Sequence, residues 1–262
     1  MASSLKRYAA ATYGVALRAL YADIGFPWSV HGEIVRIHPD ARHLVPHESE
    51  PALFQYLKSV IQPGDVVLDV GAFVGVYAVL ESRWVGQQGR VVAFEPTPSS
   101  AQLARQHLGW NADGAGRVDL IEAAVAERAS RGTLHEYGAE GLPYANSLAA
   151  AADTDAPGST RDVQIVTIDD VCRELQVVPS VIRMDVQGAE LRALLGARDT
   201  IRSAPRLSIV VEMHPQCWPA FGITEDEVRR TIRDLGLSAR PLVEGEPLFG
   251  KDTHAVLTRL TP

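Results

Sequence analysis

Cysteine is almost absent from this chain: its 262 residues hold two, Cys172 and Cys217. Two thiols cannot staple a small scaffold, and no Cys/His spacing matches a zinc site. No apolar run approaches the roughly 20 residues that cross a bilayer, which excludes a spanning helix. The N-terminus does not read as a secretion signal, since Lys6 and Arg7 precede a weakly apolar stretch broken by Gly14 and Arg18. A reducing cytoplasm is therefore the expected compartment. Lysine is scarce too, limited to Lys6, Lys58 and Lys251, so nearly all positive charge is arginine. The net charge of −7 argues against a nucleic-acid partner, because binders of a phosphate backbone carry a basic face. The rest of the composition, 46% hydrophobic and 22% charged with 21 Gly and 16 Pro, is that of a globular protein. Its length suits one large α/β domain with a modest extension.

Residues 1–46 read as that extension, either a lid or an oligomer arm that would make a homodimer. It holds an amphipathic helix over Leu5–Tyr21 and a strand over Ile34–Ile37. Residues 47–262 form the main domain. Ser49 is the expected N-cap of its first helix, with Pro51 inside the first turn. Leu53, Phe54, Leu57, Val60 and Ile61 share that helix's apolar face. Buried strand runs follow at Val66–Leu68, Val91–Phe94, Val118–Ile121, Val181–Met184 and Leu207–Val211. Between and after them lie helical stretches at Val74–Trp84, Ser99–Trp110, Gly188–Ile201 and Glu225–Leu235. Such alternation implies βαβ units and a doubly wound, mostly parallel sheet with helices on both faces. His254–Thr258 reads as an antiparallel edge strand. Residues 132–168 break the rhythm: strand runs Thr133–Tyr137 and Val163–Ile168 flank a polar, small-residue loop, a hairpin insertion that is either a binding element or lid, or a floppy connection.

The sharpest chemical signal is Asp69-Val70-Gly71-Ala72-Phe73-Val74-Gly75, directly between a buried strand and a helix. Gly71 permits a tight turn, and Gly75 a close approach of helix and ligand. The G-x-x-x-G spacing is not the dinucleotide fingerprint, and Asp69 would repel a pyrophosphate. It suits a cationic ligand such as the ammonium of S-adenosylmethionine (SAM). Glu95, at the end of the next strand, is placed to accept both hydroxyls of a ribose. Ala123 and Ala124 leave room for an adenine ring. Asp185 closes the fourth strand beside the same pocket, and Glu190 follows one turn into the next helix. Glu212 and His214 close the fifth.

Taken in order, five stretches resemble the FkbM-type SAM-dependent methyltransferases. They are Asp69–Gly75 after the Pro63-Gly64-Asp65 turn, Phe94-Glu95-Pro96, Val166–Asp170, Ile182–Glu190 with Leu195-Gly196-Ala197, and Val211–His214. The likeness spans about residue 45 to residue 215. Three positions depart from the family pattern: Phe73 stands where Asn is usual, Arg183 where Lys is usual, and Gln187 where Glu is usual. The resemblance implies a Rossmann-like class I methyltransferase sandwich with a seven-stranded sheet. It also implies methyl transfer from SAM to a hydroxyl of a small molecule, often a sugar, polyketide or other secondary metabolite.

On this reading Asp69, Gly71, Ala72, Gly75, Glu95, Ala124 and Asp185 bind the donor. His214 is the first candidate base and Asp185 the second, with Glu190 or Glu212 orienting them. A Mg²⁺ ion on Asp185 and Glu212 is the less favoured route to the same activation, because the acids do not form a dense cluster along the chain. Leu142, Pro143 and Tyr144 are expected to close over the acceptor. The alternatives are an NAD-dependent oxidoreductase, which shares the sheet and Glu95 but calls for a third loop glycine, and a protein methyltransferase. A relic that binds cofactor without turnover is a further rival.

Overall fold

Apolar β-branched runs alternating with amphipathic stretches build the molecule in layers. The computed structural model describes residues 14–137, 146–149, 158–251 and 253–260. A helix over residues 14–21 (α1) leads into strands β1 (Phe26–Val30) and β2 (Glu33–Ile37), an antiparallel hairpin. Then come α2 (Pro51–Val60), β3 (Val66–Val70), α3 (Val76–Val85), β4 (Arg90–Phe94), α4 (Pro98–Trp110) and β5 (Arg117–Ile121). Strands β6 (Ala124–Val125), β7 (Ser130–Glu136) and β8 (Ser159–Val166) follow, and after them α5 (Ile168–Leu175), β9 (Val181–Met184), α6 (Glu190–Leu195) and α7 (Arg198–Ser203). The chain closes with β10 (Ser208–Met213), α8 (Glu225–Asp234), β11 (Leu237–Pro241) and β12 (Thr253–Arg259).

The main sheet has seven strands in the order β11-β12-β10-β9-β3-β4-β5. Strands β10, β9, β3, β4 and β5 pair in parallel, and β12 runs antiparallel to both of its neighbours. From β3 the chain winds outward through β4 and β5, then returns to β9 on the other side. The order therefore reverses between β3 and β9, where an open α/β sheet leaves its ligand crevice. Side chains alternate across the sheet with period two. Leu68, Val70, Ile182, Met184, Ile209 and Val211 pack with α5 to α8. Val67, Val91, Val181 and Val210 pack with α2 and α3. Asp69 and Arg183 share the parity of Val67 and Val181, so both are sent under the α2–α3 layer.

The hairpin β1–β2 closes a further cluster, burying Val30, Val35, Ile37 and Val45 against Phe54 of α2 and Val79 and Leu80 of α3. Strands β7 and β8 form the expected hairpin, and β6 joins β8 in a separate three-stranded sheet. Among the described residues, no helix is long and apolar enough to cross a membrane.

Several expectations need correction. The N-cap of α2 is Glu50, left-handed at φ 51° and without a side-chain cap, not Ser49. Helix α3 starts at Val76, because Gly75 is its N-cap. The continuous helix expected over Gly188–Ile201 is two short ones, since the chain at Gly196 lies against the backbone of Ala126. Strand β12 is internal, and the edge belongs to β11, which the sequence reading did not pick out. The first thirteen residues and the Leu142-Pro143-Tyr144 segment lie outside the described residues.

Candidate active site

Strands β3, β4 and β9 end at one rim and enclose a cavity of about 470 Å³. The turn after β3 is pinned to β4: Gly71 and Ala72 both donate their N–H to the carbonyl of Phe94, at 3.0 and 2.9 Å. Gly71 has φ +87°, and a Cβ there would run into the carbonyl oxygen of Asp185. Gly71, Ala72, Glu95, Ala124 and Asp185 line the cavity, together with Phe73, Thr97 and Gln187. Val30 and residues 43–46 supply a wall from the N-terminal extension, while Asn146, Ser147 and Leu148 supply one from the insertion. Asn146 Nδ2 donates to Thr97 Oγ1 (3.1 Å) and Ser147 Oγ to the carbonyl of Gln187 (2.7 Å), so the insertion is tied to both β4 and β9 termini.

Glu95 is buried at the cavity floor. It accepts N–H bonds from Phe73 (2.9 Å) and Thr97 (2.8 Å), one on each oxygen. The Thr97 side chain bonds it as well, and the carboxylate still keeps acceptor capacity for a ligand hydroxyl. Burial pushes its pKa up to about 7, against those backbone bonds.

Asp69 and Gly75 do not line the cavity. Gly75 packs on α4, where a Cβ would come 2.8 Å from that of Ala104. Asp69 is fully buried beneath α3, and its Oδ1 accepts from Arg183 Nη1 at 3.0 Å. That partner follows from register, since Asp69 and Arg183 are opposed across β3 and β9. The same Nη1 donates to the carbonyl of Gly71 (3.0 Å), and Nη2 reaches Asp185 Oδ2 (3.3 Å). Arg183 also lies over the Tyr77 ring. Glu81 of α3 is buried in the same region with neither oxygen hydrogen-bonded. Burial raises the pKa of Asp69, with Arg183 opposing, and raises that of Glu81 well above the usual carboxylate range.

A second cavity of about 530 Å³ opens beside the first and shares Ser49, Glu50, Asp185 and Gln187 with it. Glu212, Glu246 and His254 line its far side. His254 Nε2 stands 2.9 Å from Glu50 Oε1 and 3.8 Å from Glu212 Oε2. Burial, reinforced by the charge of Asp185, pushes Glu212 up to about 7.

His214 lines neither cavity and is only 2% exposed. Its Nδ1 lies 2.7 Å from Glu190 Oε1, and Glu190 is in turn fixed by the N–H of Gly188 (2.8 Å) and by Trp218 Nε1 (3.0 Å). Burial by itself would lower the His214 pKa. The bond to Glu190 and the fields of Glu190, Asp185 and Glu212 outweigh it and raise the value to about 9. The first candidate base from the sequence is therefore placed outside both cavity linings, with its Nδ1 engaged by Glu190. Glu190 likewise sits behind the imidazole, away from both cavities.

The acids do converge, contrary to the expectation from their spacing along the chain. Among the described residues, two groups present one ligand atom per residue within 4.8 Å of one another: Glu50, Glu212 and His254, and Asp185, Glu212 and His214. Glu50, Arg183 and His254 were missed as site residues. The opposition of Glu212 and His254 in the β10–β12 register would have found His254, had β12 been seated beside β10. Three residues at these walls, Glu50, Phe73 and Gln187, have positive φ. Phe73 and Gln187 are two of the three departures from the family pattern. Asn, usual at position 73, tolerates that backbone better than Phe.

The family profile of the methyltransferase FkbM domain matches residues 69–238. The chain is 30% identical over 234 residues to the 31-O-demethyl-FK506 methyltransferase FkbM of Streptomyces tacrolimicus, covering 77% of this chain and 83% of that one. Among solved structures, a methyltransferase FkbM from Methylobacillus flagellatus KT aligns at 16% identity and TM-score 0.46, over 78% of this chain and half the length of that one. An O-methyltransferase from Bacillus cereus, solved with S-adenosylhomocysteine (SAH), aligns at 15% identity and TM-score 0.46, over 84% and 86% of the two chains. With a profile that spans more than half of its length and a relative at this level of identity, the chain belongs to the FkbM family of SAM-dependent methyltransferases.

Proposed function

We propose that the protein moves the methyl group of SAM to a hydroxyl of a small-molecule acceptor, with a secondary metabolite as the acceptor class. The donor occupies the first cavity and the acceptor enters through the second. The observation that carries this reading is their shared wall: Asp185 faces both cavities, at the point where a methyl leaving one would enter the other. Family membership sets aside the NAD-dependent oxidoreductase. Residues 26–46, held by the cluster they share with α2 and α3, act here as a standing wall over the donor.

Transfer is in-line: the acceptor oxygen forms a bond to the methyl carbon as the carbon–sulfur bond breaks. The hydroxyl proton leaves toward the carboxylate rim, and SAH departs as a neutral thioether. Much of the rate comes from alignment in a site that excludes water. Asp185 accepts the acceptor's O–H and fixes its direction. Asp185→Asn is expected to lower turnover about a hundredfold, the range of a lost proton-accepting group. Labelled methyl transfer to a panel of hydroxylated metabolites measures this, and full activity in the variant would refute the assignment. Calorimetry with SAH and with NAD tests the reading as a whole, since heat from NAD alone is incompatible with it.

Glu95 gives the donor site a pH dependence. The ribose hydroxyls donate, so binding favours the carboxylate over the neutral acid. With the empty-site pKa near 7, SAH affinity is expected to hold above pH 8. Below about pH 7 it should fall by up to roughly tenfold per unit. Calorimetric titrations between pH 5.5 and 8.5 read this directly, and Glu95→Gln should flatten the profile while weakening binding throughout.

A further inference from the structure

The imidazole of His214 is held as a ligand is held. Its Nδ1 donates to Glu190 at 2.7 Å, and Glu190 is itself anchored by Gly188 N–H and Trp218 Nε1. The ring cannot turn, and its Nε2 is aimed between Asp185 Oδ1 at 3.9 Å and Glu212 Oε1 at 3.8 Å. Both separations exceed hydrogen-bonding reach. All three ligand atoms lie within 4.8 Å of one another, close enough for small side-chain movements to bring them onto one ion at about 2.0–2.2 Å. We propose that Asp185, Glu212 and His214 bind one divalent first-row metal ion, with Glu190 as the residue that positions the imidazole.

A carboxylate that receives the far N–H of a ligating imidazole is the usual support of such sites, fixing the tautomer and the ring's direction. The local charge agrees. The guanidinium of Arg183 is divided between Asp69 and Oδ2 of Asp185, so Asp185 Oδ1 and Glu212 Oε1 face the His214 imidazole, whose Nε2 proton a divalent ion would displace. Gln187 Nε2 donates to Oδ1 at 2.9 Å, and that oxygen retains a second lone pair. The ion is assigned to the His214 side rather than to the neighbouring group of Glu50, Glu212 and His254, because on the His214 side a buried carboxylate already fixes the imidazole. Asp185 and Glu212 line the second cavity, which gives the ion a way in. One imidazole with two carboxylates suits Mn²⁺ or Zn²⁺ better than Mg²⁺, which prefers oxygen ligands and retained water.

The ion's task rests on the reading of the second cavity as the acceptor's entrance: an alcohol oxygen bound to it would lose its proton more readily as the methyl arrives. The test is independent of turnover. Full-length protein is stripped with a chelator, dialysed and titrated with MnCl₂, and free Mn²⁺ is followed by electron paramagnetic resonance. One ion per chain is expected. Glu212→Gln and His214→Gln should each weaken it at least tenfold, and Glu190→Gln about tenfold or more. SAH calorimetry on the same samples, within about threefold of wild type, shows the donor cavity intact. Absence of Mn²⁺ uptake by the wild-type protein, or uptake undiminished in both ligand variants, overturns the site. Neither result touches the methyltransferase reading, which stands or falls on SAH binding.

Discussion

Gly71→Ala is expected to cost at least a hundredfold in SAH affinity. The backbone at this position has φ +87°, a region that an L side chain enters only at about 1–2 kcal/mol. The added methyl also meets the carbonyl of Asp185, where the strain of overpacking is typically about 1–3 kcal/mol. Relief is blocked on both sides. The turn is tied to Phe94 by the N–H groups of Gly71 and Ala72, and to Arg183 through the Gly71 carbonyl. The strain therefore passes to Asp185 or to the turn itself, both of which line the first cavity, the one proposed for the donor, and every 1.4 kcal/mol is about tenfold in affinity. Gly64→Ala is the control, with φ +88° and nothing within 4 Å of the new methyl. It should lower stability by about 1 kcal/mol and leave SAH binding alone. Calorimetry and urea melts on both variants decide the matter, and a Gly71→Ala protein that binds SAH within threefold of wild type would disprove the argument.

The parallel core of this fold was legible because its strands are buried on both faces and read as unbroken apolar runs, as in Val66–Leu68 and Val181–Met184. Strands β1 and β11 were not, since Phe26–Val30 carries Pro27 and Ser29, and Leu237–Pro241 carries Ser238, Arg240 and Pro241, which mask the pattern. The break between α6 and α7 has no signal in helical periodicity; it comes from the close passage of Gly196 by Ala126. The rim of the site was readable, because the ends of adjacent strands are neighbours whatever their sequence separation. Its charge balance was not. Glu50 arrives from the start of α2 and His254 from β12, and neither position announces a partner. The same holds for Asp69: its type and place suggested an exposed anchor for an ammonium, but side-chain parity sends it beneath α3 to Arg183.

Arg183→Met is expected to destabilise the fold by about 3–5 kcal/mol, the range for removing one partner of a buried ion pair. The guanidinium is the cation that faces Asp69 and Glu81, and its charge lowers the pKa of each against the larger effect of burial. Without it, both acids must stay protonated in the folded state. Their folded pKa values lie above the unfolded ones, so the native chain holds protons that the unfolded chain has released. Stability then falls as pH rises from the unfolded values near 4 toward the folded ones, by up to about 1.4 kcal/mol per pH unit for each group. Losing Arg183 raises the folded values further and widens that window. Urea melts should accordingly find the variant's deficit larger at pH 8.5 than at pH 5.5, and Asp69→Asn in the same chain should recover part of it. Arg183→Lys, the residue usual in the family, should fare better than Met and worse than Arg. A single ammonium can serve Asp69, but it cannot span Asp69, the Gly71 carbonyl and Asp185 together as the planar fork does. A deficit below about 1 kcal/mol, or one that does not change with pH, would mean that Asp69 and Glu81 are already neutral while Arg183 is present, so that Arg183 balances no buried charge there.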